Sequence, residues 1–227
     1  MAYLLHIETS STNCSVAISN DDKLIAKTES NNGYTHAENL HLFIEDVIKQ
    51  CDLQIHDLNA ISISSGPGSY TGLRIGYSAA KGLSYALKIP IITVETLKAL
   101  SFNVINIVNK KDALYCPLID ARRMEVYTAI YDYHLNETLT LRALVLNESS
   151  IELFNQNREI YFFGDGMPKA KTLLQTLKNV QFIEHITADA ESMISLAFKK
   201  YIANDFVDAA YAEPNYLKEF FFTNAKN

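Results

Sequence analysis

The 227-residue chain contains only three cysteines, Cys14, Cys51 and Cys116. Their wide spacing forms neither a CxxC pair nor a Cys/His metal pattern, and any disulfide would leave one thiol over; a disulfide framework is excluded and a cytoplasmic location is expected. Positive charge is scarce as well. Lys and Arg number 20 against 26 Asp and Glu, a net charge of −6, so the clustered cations by which a free-standing nucleic-acid binder neutralises phosphate are missing. Any RNA would have to be held by a partner. No run reaches the roughly 18 apolar residues that cross a membrane. The first residues form a β-rich run in place of a charged and then apolar leader, so the expectation is a protein neither exported nor anchored.

What is present is a long apolar complement, 48% of residues, enough for one large domain or two modest ones. Tyr3 to Ile7, Cys14 to Ile18 and Lys23 to Glu29 read as three strands, followed by a helix from His36 to Cys51 with Leu40, Phe43, Ile44, Val47 and Ile48 at helical spacing. A strand over Ala60 to Ser64, a helix over Thr71 to Leu87, a strand over Ile91 to Val94 and a helix from Glu95 complete a βββαβαβα order. The second half repeats it in shortened form: strands Leu114 to Asp120, Glu125 to Tyr133 and Thr138 to Leu146, a helical turn at Ile151 to Asn157, and a strand at Ile160 to Phe163. A helix at Lys169 to Leu177, a strand at Val180 to Ile183 and a helix at Ala190 to Ile202 follow. Asn, Lys and Asp replace apolar periodicity over Asn103 to Lys111, which places a boundary between subdomains 1–105 and 106–227, the last helix crossing back onto the first unit.

The densest local signal is Ser64-Ser65-Gly66-Pro67-Gly68-Ser69-Tyr70-Thr71-Gly72-Leu73-Arg74-Ile75-Gly76. Pro67 fixes φ and its flanking glycines permit close backbone approach, which suits a sharp strand-to-helix junction. Alone, such a loop is only a turn. On a helical wheel Gly72, Ile75, Gly76, Ala79, Leu83 and Ala86 share one face, and Arg74, Tyr77, Ser78, Lys81 and Tyr85 lie opposite. Tyrosines beside an arginine are enriched at interface hot spots, so this second face is read as a binding surface, with a merely solvated face as the alternative.

Together with Ile7-Glu8-Thr9-Ser10, Tyr34-Thr35-His36-Ala37-Glu38-Asn39-Leu40, Ile119-Asp120-Ala121-Arg122-Arg123-Met124-Glu125-Val126-Tyr127 and Ala212-Glu213-Pro214-Asn215-Tyr216-Leu217, the segment resembles the TsaB (YeaZ) family along almost the whole chain. The resemblance implies an α/β fold of the actin-like, sugar kinase–Hsp70–actin (ASKHA) type, with two related βββαβα subdomains, the second degenerate. It also implies a non-catalytic role in making N6-threonylcarbamoyladenosine (t6A) at position 37 of tRNAs that read codons beginning with A. The partners it implies are TsaD directly, TsaE through the TsaB–TsaD complex, a homodimer through the same helical surface, and tRNA only indirectly, with no membrane. His36, Leu40, Arg74, Tyr77, Ser78, Lys81 and Tyr85 are the expected partner-binding residues.

The catalytic paralogue resembled here carries Glu-Thr-Ser-Cys-Asp-Glu-Thr after its first strand, whereas this chain reads Glu8-Thr9-Ser10-Ser11-Thr12-Asn13-Cys14. Where the paralogue has His-x-x-x-His, whose imidazoles one turn apart can share a metal, this chain has Thr96 and Leu100. No catalytic residue and no metal ligand are therefore expected, and His36 and His41, five apart, do not share a helix face. Glu8, Asp120, Gly164 and Gly166 occupy vestigial nucleotide-loop positions, with ATP and metal assigned to the assembly containing TsaD and TsaE. Arg122 and Arg123 could reach acidic partner groups or lie solvated in a hairpin turn. The rival is a stand-alone actin-like ATPase or phosphotransferase, against which Ser10, Thr12 and Asn13 argue.

Overall fold

The computed structural model of the protein describes residues 1–33 and 35–217; Tyr34, one of the motif residues above, lies outside the described residues, as does the stretch of the second expected subdomain beyond 217. Three strands open the chain, β1 (Tyr3–Glu8), β2 (Cys14–Asn20) and β3 (Lys23–Ser30), paired antiparallel with Leu5 opposite Ile18 and Ile7 opposite Val16. After α1 (His36–Gln50) comes β4 (Leu58–Ser64), which pairs parallel to β1. Ala60 to Ser64 are all buried, as a parallel strand covered on both faces requires. Then follow α2 (Tyr70–Leu87), β5 (Ile91–Val94) and α3 (Thr96–Val108), giving a sheet in the order β3-β2-β1-β4-β5.

The second half repeats this topology. Its strands are β6 (Leu114–Asp120), β7 (Glu125–Tyr131), β8 (Glu137–Val145), β9 (Ile160–Phe163) and β10 (Val180–Phe182), ordered β10-β9-β6-β7-β8, with α4 (Met167–Leu174) before β10 and α5 (Ile194–Ile202) at the end. Read from its third strand, each sheet runs 3-2-1-4-5, three antiparallel strands and then two parallel ones. The degeneracy of the second unit has a specific form. A single 3-10 stretch, Ser150–Phe154, stands where the first unit has the 15-residue α1.

One core lies between the first sheet and the pair α1 and α2, built from Leu5, Ile7, Val16, Ile18, Leu40, Val47, Ile61 and Ile63. A second lies under α4, where Met167, Ala170 and Leu174 meet Leu118, Val126, Phe154 and Phe162. Between the sheets runs α3. Leu97, Leu100, Val104 and Ile105 pack on Tyr115, Ile119, Tyr131 and Phe163 of the second half, while Ala99 packs with Leu4, Ala60 and Ile92 of the first. The chain break expected at 105 falls inside this helix, because Val104 and Ile105 continue its buried face and the helix stops only at Asn109, in the left-handed region with φ 51°. From the far end, Met193 and Ala197 pack back onto Leu4, Ala60, Ile92 and Val94. Small shifts elsewhere follow local chemistry: Pro168 in the first turn starts α4 at Met167, and a 3-10 turn, Glu191–Met193, precedes α5.

Candidate functional site

The glycine-rich junction between β4 and α2 is pressed against the loop that follows β1. Ser69 caps α2 by accepting the Gly72 N–H at 3.2 Å, and its own N–H donates to the Ser10 carbonyl at 2.6 Å. A Cβ at Gly68 would stand 2.3 Å from the Ser10 carbonyl oxygen, and one at Gly72 would stand 2.1 Å from that of Thr9. Both contacts are to backbone, which cannot move aside. The strand-to-helix junction thus packs directly on the backbone of the loop after β1.

The side chains of this loop face inward. Glu8 is fully buried; its Oε1 accepts from the Ser10 N–H at 2.6 Å and the Ser64 hydroxyl at 2.9 Å. Burial pushes its carboxyl up to about 7, against the lowering effect of those two hydrogen bonds. Thr12 donates to Asn31 at 2.8 Å, and the Asn13 amide donates to Glu29 at 3.2 Å and across to the Ala188 carbonyl at 3.1 Å. The residues standing at the paralogue's two carboxylate positions therefore fasten the loop to β3 and to the second half. At the paralogue's histidine positions, Thr96 and Leu100 are buried on α3.

A cleft of about 420 Å³ opens between the halves, lined by Ser10, Ser11, Gly68, Asp120, Arg122 and Tyr216 among others. Of the four vestigial nucleotide-loop candidates only Asp120 reaches it, and it is paired there with Lys169. Glu8 is an interior staple. Gly164 and Gly166 are packing positions, since a Cβ on Gly164 would lie 2.4 Å from the Leu118 carbonyl oxygen and one on Gly166 2.9 Å from the Ile119 carbonyl carbon. Arg122 and Arg123 are exposed in a turn held at φ 65° and 45°, and Arg122 lines the cleft.

The expected partner face divides. Arg74, Ser78 and Tyr85 are exposed and Lys81 is half-buried. His36, Leu40 and Tyr77 are corrected to interior positions. His36 donates Nε2 to the Ser11 carbonyl at 2.8 Å; Leu40 and Tyr77 belong to the first core. The wheel is rotated because Gly72 and Gly76 take α2 down onto Thr9, which turns Tyr77 inward and leaves Ile75 and Leu83 at the edge. At that edge α1 and α2 enclose a mostly apolar groove of about 670 Å³, lined by Ala37, His41, Arg74, Ile75, Ser78 and Leu83 with Tyr70, Thr71, Ala79 and Gly82. The stripe Thr71, Ile75, Ser78, Gly82 facing Ala37 and His41 is a helical-spacing signal that a two-sided reading of α2 overlooks.

The paired 3-2-1-4-5 sheets with a helix between them define an actin-like ASKHA fold in which the β4–α2 junction packs on the loop after β1. A family model described as "TsaD: tRNA N6-adenosine threonylcarbamoyltransferase" matches residues 30–218. The chain is 31% identical over 175 residues to the tRNA threonylcarbamoyladenosine biosynthesis protein TsaB of Bacillus subtilis, covering 76% of this chain and 75% of that one. It is 29% identical to the Escherichia coli protein of the same name, over 95% and 94% of the two chains. The structure of YeaZ from Pseudomonas aeruginosa superposes with a TM-score of 0.82 at 24% identity, covering 96% of this chain and all of that one. The chain belongs to the family that the model describes and, within it, to TsaB (YeaZ).

Proposed function

We propose that the protein is a docking subunit of t6A synthesis: it binds a TsaD partner through the α1/α2 groove and contributes no reacting group of its own. The observation that carries this reading is a contrast between two sites in one half. The loop after β1, where actin-like enzymes hold nucleotide, has its Thr9 and Ser10 carbonyls covered by Gly72 and Gly68 and contributes Ser10, Ser11 and Thr12 to the inter-half cleft in place of carboxylates, while the groove next to it is mostly apolar. Apolar grooves between two helices accept the apolar face of a further helix. Thr96 and Leu100, in the core, offer no donor pair to a metal, so ATP and metal are assigned to the partner assembly with TsaE and TsaD. Two copies of this chain meeting through the same groove would compete with TsaD.

The direct test is calorimetric titration of the purified chain with TsaD from the same organism. A 1:1 complex weakened by Ser78→Arg or Ala37→Arg, both at the groove, is the expected outcome; unchanged affinity would remove the groove from the interface. Depletion of the protein followed by mass spectrometry of tRNA nucleosides is expected to lower t6A. Magnesium-dependent ATP binding by the isolated chain would favour the phosphotransferase reading instead.

A further inference from the structure

The groove and the inter-half cleft share Tyr70 and Thr71 as a wall, and the segment after α5 packs against it. Beyond α5 the chain returns along the first half: Val207 bridges Ile91, the Lys81 ammonium donates to the Ala210 carbonyl at 3.2 Å, and the Asn215 N–H donates to the Ser65 carbonyl at 2.7 Å. Tyr216 then lies on Tyr70 with ring centroids 4.9 Å apart. Its hydroxyl accepts a hydrogen bond from Arg74 Nε at 3.3 Å, and the Arg74 guanidinium sits 4.2 Å above the Tyr70 ring centre. Tyr70 lines both cavities, Arg74 lines only the groove, and Tyr216 lines only the cleft. Among the described residues Tyr216 thus touches Arg74 without lining the groove.

Resting on the reading of the groove as a docking face, we propose that Tyr216 is a positioning residue that, with Tyr70, fixes the Arg74 guanidinium to receive a carboxylate from a partner helix lying in the groove. An exposed arginine on a helix loses rotamer freedom when it is captured, and that loss subtracts from affinity. Here the ring beneath the guanidinium and the bond to Nε set its plane in advance, while among the described residues the two terminal nitrogens make no hydrogen bond, Glu213 acting on the group only through its charge, and so have donors for an incoming carboxylate. The charge of the groove selects the partner's chemistry. Among the described lining residues Arg74 and His41 are the basic side chains and none is a carboxylate, so an apolar strip flanked by Asp or Glu is its complement. The consequence is that docking into a groove whose described lining belongs to α1 and α2 depends on a hydroxyl 142 residues further along the chain.

The test is a double-mutant cycle on the full-length chain, titrated with full-length TsaD from the same organism. Tyr216→Phe keeps the ring and removes the hydroxyl; it is expected to weaken binding by about three- to tenfold, the effect of one such hydrogen bond. Arg74→Lys, which keeps the charge and loses the planar fork, is expected to weaken it similarly. In an Arg74→Ala background Tyr216→Phe is expected to have no further effect. Wild-type affinity in Tyr216→Phe, or the same loss repeated in the Arg74→Ala background, overturns the inference and leaves the docking face standing. A wild-type chain that does not bind TsaD overturns both. Melting curves of each variant separate a folding defect from a binding one, since a merely structural role would lower the melting temperature without coupling to Arg74.

Discussion

At the scale of single residues, the polar groups buried at the first strand set how the protein responds to pH. Glu8 is held up to about 7, mainly by burial, so between its ordinary value near 4.5 and 7 the folded state binds a proton that the unfolded state has released. That contribution is fully present below about 4.5 and lost as pH rises through 7, a span of roughly 3 kcal/mol in order of magnitude. His6, also fully buried, is pushed down to about 3 by burial. Its unfolded form binds the extra proton, so its contribution is lost as pH falls from 6.5 towards 3. Between about 4.5 and 6.5 the two slopes oppose one another, and we expect the wild-type stability from urea titrations to be nearly level there. Glu8→Gln removes one slope and is expected to make stability rise with pH across that window; a variant as level as the wild type would show that Glu8 is ionised in the fold. The sequence marked Glu8 as a loop carboxylate of a degraded nucleotide site, and nothing in its neighbours revealed that β1 carries it inward to Ser10 and Ser64.

At the scale of elements, α2 is defined by which of its glycines touch backbone. Gly72 abuts the Thr9 carbonyl, whereas a Cβ at Gly82 would meet nothing within 4 Å. Both are helical glycines, and helix propensity alone favours alanine at each. Packing reverses the sign at one of them. We expect Gly72→Ala to destabilise by about 3 kcal/mol or more, because a backbone carbonyl has nowhere to go, and Gly82→Ala to stabilise by about 0.5–1 kcal/mol, both read from chemical denaturation midpoints at constant m-value. The order of strands and helices was legible because apolar residues recur with period 2 or 3.6 in nearly every element. The facing of α2 was not. Its small residues fit two adjacent stripes on a wheel, and only the close approach of Gly72 and Gly76 to Thr9 decides that Tyr77 goes inward while Arg74 and Ser78 stay out. Of the groove, Arg74 and Ser78 were legible as an outward face, whereas Ile75, Ala79 and Leu83 read as the opposite, packing face and the α1 side, Ala37 and His41, was not read at all.

At the scale of the whole molecule, two similar sheets could behave as two independently folding units, and the contacts that cross between them decide against it. Residues of α3 belong to cores on both sides. Asn13 reaches the Ala188 carbonyl, the Ala190 N–H donates to Ser15, and Lys27 pairs with Asp189 and Glu191. These crossings join residues far apart in sequence, so no local pattern announces them, and a break in periodicity near Asn103 reads as a linker although the helix continues. Met193, fully buried, carries the strongest mechanical consequence, because it arrives from the second half to pack on Leu4, Ala60, Ile92 and Val94 of the first. Met193→Ala is expected to cost about 3 kcal/mol through the cavity it leaves. If the halves were autonomous, that loss would fall on one of two transitions. With the cores shared through α3, we expect a single transition that moves as a whole, with tyrosine fluorescence and far-UV circular dichroism tracing the same curve. Two separated transitions in the variant would mean that α3 transmits less between the sheets than its packing implies.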